Sequence, residues 1–163
     1  MEEYKNNVFA EQFRQGLQAR KMPFDDSVDE KNTVAFKLPM KAKNINGIRV
    51  RLIVNAKGDC KLRTYLGGTV PQAKAKAMLK TLNKLNGEFR YICLHLDAEL
   101  DVSAAYDFDL REDMRDLFDY MMEKVFIFAE ICDRCIPDIM RTVWGQEELE
   151  LDDIKVDLFG DGV

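Results

Sequence analysis

The sequence predicts an α+β fold in which an antiparallel sheet is backed by helices, with the element order α-β-β-β-α-β-β-α. Three segments have apolar residues every three or four positions, as helices do, and five shorter segments have them at every second position, as strands do. With 163 residues, of which 47% are hydrophobic, the chain can form one sizeable core. A wholly disordered protein is thereby excluded.

The first helix is predicted over residues 2–21. Acidic residues near its start and basic residues at its end suit the helix dipole, and Met22-Pro23 stops it. Its apolar face, which should pack on the sheet, is formed by three residues that lie four positions apart, namely Phe9, Phe13 and Leu17.

Three strands are predicted next, over residues 34–38, 48–54 and 60–66. The turn-forming stretch 55–59 joins the last two, which predicts an antiparallel hairpin. Successive strand residues point to opposite sides, so the hairpin has one apolar face and one polar face. The polar face carries four cations: Arg49, Arg51, Lys61 and Arg63.

A second helix is predicted to begin at Pro71, whose missing N–H is harmless in a first turn, and to end at Asn86-Gly87. Two further strands are predicted over residues 92–96 and 100–108, with a turn at 97–99. These two strands complete the sheet that the preceding hairpin begins.

The third and longest helix is predicted from Asp109, which has the capping-box spacing to Glu112, as far as Gly145, with a kink at Pro137. Its apolar stripe is wider than one contact with a sheet requires. A second copy of the chain could cover the excess, which would make a homodimer, and the first helix could also cover it within one chain. The excess side chains are Phe126, Ile127 and Ile131.

Charge separates a single α+β domain, residues 1–145, from an acidic C-terminal tail, residues 146–163. The tail has seven acids and one lysine, a charge of −6, so the domain carries only +1 of the total of −5. Because its acids repel one another, we expect the tail to dock weakly on the domain or to be disordered.

The domain also contains two oppositely charged blocks. Residues 31–66 carry nine Lys or Arg and one acid, whereas residues 97–123 carry ten acids and two Arg. The basic hairpin around residues 37–65 includes Tyr65, and cations with an aromatic residue suit a nucleic-acid-binding face. The acidic block and the tail could neutralise it internally, so nucleic-acid binding is the alternative prediction and is unfavoured by the net charge.

Cys132 and Cys135 form a CxxC pair late in the third helix, on its apolar seam, so we expect buried thiols. Cys93 and His95 could complete a zinc site only if that helix crossed their strand on the matching face. With one histidine and no nucleophile motif, we predict no enzyme, catalytic residue, metal or cofactor. The four cysteines suit a reducing, cytoplasmic compartment, and no apolar run is long enough to span a membrane.

The chain resembles the YbjN-like family within the type III secretion chaperone-like fold. The resemblance covers about residues 1–145 and rests on the hairpin at 48–66, the helix after Val70-Pro71, the strand pair at 91–108 and the capped helix from Asp109. It implies an antiparallel sheet backed by helices, frequent homodimerisation and no enzymatic activity. Secretion chaperones of this fold wrap an extended segment of another protein, and YbjN-like proteins are described as bacterial regulators.

Together these observations predict a non-enzymatic protein-binding or regulatory domain that holds a segment of a protein partner on exposed sheet and helix surface. A nucleic-acid-binding module that uses the basic hairpin is the alternative. The candidate partner surface comprises six residues: Phe126, Ile127, Ile131, Arg49, Arg51 and Arg63.

Overall fold

The computed structural model describes residues 6–145, which form one sheet of six strands and three helices. The helices are α1 (Val8–Ala19), α2 (Ala75–Glu88) and α3 (Leu117–Trp144), and the strands are β1 (Asp25–Val28), β2 (Val34–Met40), β3 (Ile48–Val54), β4 (Asp59–Tyr65), β5 (Cys93–Leu96) and β6 (Val102–Asp109). The strands pair antiparallel in the order β1-β2-β3-β4-β6-β5. The predicted α+β class is therefore confirmed, whereas the acidic tail lies outside the described residues.

All three helices cover the same face of the sheet, and α3 contacts both α1 and α2. Phe36, Leu52 and Leu62 occupy neighbouring register positions on that face and are fully buried. The ring of Phe13 from α1 meets the ring of Phe36 edge-on, with 5.0 Å between centroids. Residues next to these along each strand point to the second face, which no described element covers.

A fourth strand, β1, precedes the three strands that the sequence predicts between the first two helices. It pairs with β2 from Asp25↔Lys37 to Val28↔Val34 at the edge of the sheet. Its sequence has no apolar alternation because most of it is exposed. The polar sequence of β1, which prevented its prediction as a strand, suits an edge position, because short and charged edge strands resist pairing with other chains.

The third helix begins later than predicted. Asp109 is the last residue of β6, paired with Asp59, and the N–H of Leu110 still donates to the carbonyl of Gly58 over 2.8 Å. The chain is thus extended where the capping-box spacing predicts a helix. The helix starts after Asp116, which has a φ of 53° and makes no side-chain cap, and it continues through Pro137 to Trp144.

The start of α1 is held to the sheet by a buried asparagine. Asn7 Oδ1 accepts the N–H of Ala10 over 3.0 Å, which caps the helix. Its Nδ2 donates to the carbonyls of Asn32 and Val54 over 2.7 and 3.0 Å. One side chain therefore joins the beginning of α1, the first turn between strands and the end of β3. The helix begins at Val8, and residues 2–5 of the predicted helix lie outside the described residues.

Three turns of the sheet share one design. In the turns at 29–33, 55–59 and 97–101, the first side-chain oxygen accepts the N–H groups two and four residues later. The fourth residue of each turn has a positive φ, of 59°, 93° and 64°. A three-residue loop that ends in the left-handed region is a common connection between antiparallel strands. The first turn oxygens belong to Asp29, Asn55 and Asp97, and the left-handed residues are Asn32, Gly58 and Leu100.

The loop between β2 and β3 is anchored to α3 by Asp133, which is buried. Its two carboxylate oxygens accept the backbone N–H groups of Lys43 and Asn44, each over 2.9 Å. Pro137 has no N–H, so the carbonyl of Asp133 lacks the usual helical donor, and Asn44 Nδ2 donates to it over 3.0 Å. The loop between β2 and β3 thus supplies the hydrogen bond that Pro137 removes from the helix.

Candidate functional site

Three cations stand side by side on the open face of the sheet. Lys37 on β2 lies directly opposite Arg51 on β3, which lies directly opposite Arg63 on β4. Neighbouring strands are about 4.8 Å apart, and like charges in directly opposed positions destabilise a sheet. We call the five cations of this surface the basic face: Lys37, Arg49, Arg51, Lys61 and Arg63.

The basic face is partly neutralised by the domain itself, since Asp25 on β1 lies directly opposite Lys37 and Asp107 on β6 directly opposite Lys61. Arg63 pairs with Asp107 over 2.5 Å and also donates to the carbonyl of Leu62. Within residues 6–145, the other four cations form no ion pair. The acidic block at 97–123 therefore supplies Asp107 and Asp109 to this face, and among the described ion pairs only Asp107 pairs with a cation of the hairpin.

Apolar side chains lie between the charges of the basic face. Ala35, Ile53, Lys61 and Asp107 occupy one row across β2, β3, β4 and β6. At the end of β4, the ring of Tyr65 is 69% exposed, so it can contact a partner rather than the core. The face thus combines positive charge with a small apolar centre, which suits a partner that carries both acidic and apolar groups.

The outward backbone groups of Leu94, in the middle of one edge strand, are already hydrogen-bonded. On the edge strand β5, Asn86 of α2 donates to the carbonyl of Leu94 over 3.0 Å and accepts its N–H over 2.7 Å. On the opposite edge, β1 presents Asp25 and Asp26. Both devices disfavour the addition of a further strand, so the open face offers a better binding surface than these edges.

The helix part of the predicted partner surface lies on the other side of the molecule. Phe126 is 53% exposed on the outer side of α3, and Ile127 is half-buried beside it. Ile131 is half-buried and packs partly against the core, so it offers less free apolar surface than Phe126. The helical trio and the arginines of the basic face are separated by the sheet and cannot form one site.

The four cysteines are free thiols, and they do not come together as a zinc site. Cys132 and Cys135 are buried in the core, where loss of solvent raises the pKa of both and brings that of Cys135 to about 11. Cys93 and His95 are exposed, and their register partners Ala105 and Ser103 place them on the open face. The two pairs lie on opposite sides of the sheet and cannot ligate one zinc ion. Within residues 6–145, no group of three or more His, Cys, Asp or Glu residues is arranged to hold a metal.

Comparison with known proteins identifies the fold. No family model matches the chain, and no curated protein matches its sequence. The solved structure of YbjN, a proposed transcription regulator from E. coli, has a TM-score of 0.55 at 13% identity, over 80% of this chain and 89% of that one. The complex of ExsC with ExsE gives a TM-score of 0.48 at 13% identity, over 80% of this chain and 96% of that one. The likeness to YbjN confirms the predicted YbjN-like fold, and at this identity it extends to fold alone.

None of the helices described in residues 6–145 is both long enough and apolar enough to cross a bilayer. This holds for α3, which is the longest of them at 28 residues. Its outer side carries acids at Asp119, Glu123 and Glu130, as an exposed helix of a two-layer domain does.

Proposed function

We propose that this chain is a non-enzymatic binding domain that holds an acidic segment of a protein partner on the basic face of its sheet. The observation that carries the proposal is the row of Lys37, Arg51 and Arg63 in directly opposed positions, of which only Arg63 has an ion-pair partner within residues 6–145. The described residues leave the face open to a ligand of opposite charge.

The row costs stability in the free domain. Two unit charges about 5 Å apart in water repel each other by about 0.8 kcal/mol, and Arg51 lies opposite a cation on each strand beside it, although the guanidinium of Arg63 turns toward Asp107. Carboxylates placed over the row would replace this repulsion with charge-assisted hydrogen bonds, which are stronger than neutral ones. The gain is largest for a ligand that contacts adjacent strands at once.

A protein segment suits this face better than a nucleic acid does. Single-stranded nucleic acids need several aromatic rings on which bases can stack, and among the described residues of the open face Tyr65 is the one exposed aromatic. Asp59, Asp107 and Asp109 lie at one end of the same face, where they would repel a phosphate backbone and an acidic peptide alike, so the two ligands differ here in the stacking that they need. The cation row still attracts phosphate, so nucleic-acid binding stays the second candidate.

Peptide binding tests the proposal. A labelled peptide of alternating Glu and Thr should bind the protein at low ionic strength, and a Lys-Thr peptide of equal length should not. Removing two charges with Lys37→Ser and Arg51→Ser together should weaken binding about tenfold, because each exposed charge contact contributes about 0.7 kcal/mol. Fluorescence anisotropy measures this.

The matched control for the peptide experiment removes two exposed cations from α2, with Lys76→Ser and Lys84→Ser together. This variant has the same net charge as the double variant of the face, so its affinity should stay within about twofold of the parent. Equal losses in both variants would contradict a site on the face. Tighter binding of an oligothymidylate with the same number of charges would favour the nucleic-acid candidate instead.

We further propose the homodimer that the excess apolar surface of α3 predicts, with Phe126 and Ile127 at its centre. Their contact area is smaller than the sequence suggests because Ile131 is already partly packed, so we expect micromolar rather than tighter association. Sedimentation equilibrium should give a mass near twice 18.9 kDa. The mass should fall to one chain in Phe126→Glu, and a wild-type mass that stays at one chain would contradict the dimer.

We place the protein in a reducing compartment such as the cytoplasm. Within residues 6–145 all four cysteines are free thiols, and three of them are buried. Burial raises the pKa of Cys60 to about 12, so this thiol stays protonated and unreactive near neutral pH.

A further inference from the structure

The described chain ends on the helical side of the sheet, near the end of β4. The carbonyl of Gly145 accepts a hydrogen bond from Lys74 Nζ over 3.1 Å. One turn earlier in α3, the sulfur of Met140 lies 3.9 Å from the position that a Cβ on Gly67 would occupy. Gly67 follows Tyr65, the last residue of β4, by two positions. Gly145 therefore lies near the end of the strand that carries Lys61 and Arg63.

The remaining chain is long enough to reach every cation of the face. Residues 146–163 are 18 in number, and at about 3.3 Å per residue they span up to about 60 Å when extended. A seven-residue strand such as β3 or β4 is about 23 Å long. The segment can thus run the full length of the face without straining the end of α3.

The charges of this segment match the spacing of the basic face. Residues 148–152 read Glu-Leu-Glu-Leu-Asp, so in an extended conformation their three acids would project on one side, about 6.8 Å apart. Arg49 and Arg51 on β3 have the same separation along the strand, as do Lys61 and Arg63 on β4. The whole segment carries −6, and the open face carries the five cations beside four carboxylates, those of Asp25, Asp59, Asp107 and Asp109.

We propose that residues 146–163 of the same chain lie across the basic face and compete there with the protein partner. This inference rests on the proposed function, since it assigns the same face to an internal acidic segment. A tethered segment has an effective concentration in the millimolar range. Even weak docking therefore excludes weak external ligands and admits a partner that is more acidic or better matched to Ile53 and Tyr65.

The test uses the full chain with three tail carboxylates made neutral, by Glu148→Gln, Glu150→Gln and Asp152→Asn. The labelled Glu-Thr peptide should bind this variant about tenfold more tightly than it binds the parent, because the competing segment is weakened. The control neutralises three exposed acids elsewhere in the domain, by Glu112→Gln, Asp113→Asn and Glu123→Gln. It has the same net charge and should leave the affinity of the parent unchanged.

A zero-length carbodiimide cross-link gives a second readout that needs no added ligand. In the monomer band, mass spectrometry should find Lys37 or Lys61 joined to carboxylates of residues 146–163, and these links should disappear at high salt, which screens exposed charges. Lys76 on α2 should give no such link. Parallel samples at high dilution distinguish links within one chain from links between copies.

The outcomes separate the two proposals. If the peptide binds the parent and the tail variant equally, loses affinity in the Lys37→Ser, Arg51→Ser protein and no tail link forms, the face binds acidic segments but the tail does not occupy it. If tail links form at Lys37 or Lys61 but peptide binding does not depend on Arg51, the tail lies on the basic face as proposed. The proposal that the partner binds there is then wrong. Equal gains in the tail variant and its control would overturn competition by the tail.

Discussion

Gly58→Ala should lower the free energy of unfolding by about 3 kcal/mol. Gly58 has a φ of 93°, a conformation that costs an alanine about 1–2 kcal/mol. An added Cβ would also lie 2.6 Å from the carbonyl oxygen of Leu110, which is backbone and cannot turn away. The chain would have to separate β4 from the end of β6, at the expense of the hydrogen bond from Leu110 to Gly58.

Urea denaturation measures the loss, and Gly87→Ala is the matched control. Gly87 lies within α2, and a Cβ there meets nothing within 4 Å. The same chemical change should therefore stabilise the protein by about 0.5–1 kcal/mol, because alanine loses less backbone entropy than glycine in a helix. A loss below about 1 kcal/mol for Gly58→Ala would show that this turn tolerates a side chain.

Asp133→Ala should destabilise the protein by about 2–4 kcal/mol, because the N–H groups of Lys43 and Asn44 would lose their acceptors at a partly buried site. Asp138→Ala on the same helix is the control. Its carboxylate pairs with exposed Arg141 at the surface, so its loss should cost less than about 1 kcal/mol. Equal effects of the two substitutions in urea denaturation would contradict an anchoring role for Asp133.

The anchor should also depend on pH. Burial alone raises the pKa of Asp133, but hydrogen bonds from the backbone of Asn44 and Lys43 outweigh it and hold the pKa below its usual 3.8. A carboxyl with a depressed pKa in the folded state stabilises the protein above the pKa of the unfolded state and loses this contribution as the pH falls through the folded value. The stability difference between wild type and Asp133→Ala should therefore shrink below about pH 4.

The parts of the fold that follow from local pattern were predictable. Alternation in residues 48–54 and 60–66 assigns Leu52 and Leu62 to the core and Arg51 and Arg63 to the open face, as the structure has them. Features set by tertiary contacts were not predictable in this way. β1 has no apolar alternation, and Asp109 resembles a helix start although the bond from Leu110 to Gly58 keeps the chain extended.

The candidate site was likewise predictable only in the part that depends on local sequence pattern. The sequence identifies Arg49, Arg51 and Arg63 as surface cations, but their alignment with Lys37 depends on strand register, which one strand alone does not reveal. The sequence does contain a feature from which the anchor at Asp133 could have been predicted. Pro137 stands four residues later and must free the carbonyl of residue 133, so a donor from outside the helix was to be expected there.

The three similar turns at 29–33, 55–59 and 97–101 have a kinetic consequence. Each closes a loop of only three residues, so the entropy lost when its two strands meet is small. The pairing of β4 with β6 instead encloses α2 and β5, which makes it the most distant contact in the sheet. We expect the hairpins to form early and the β4–β6 junction to limit the folding rate. Ala104→Gly at that junction should slow refolding in stopped-flow experiments more than a turn substitution of equal equilibrium effect.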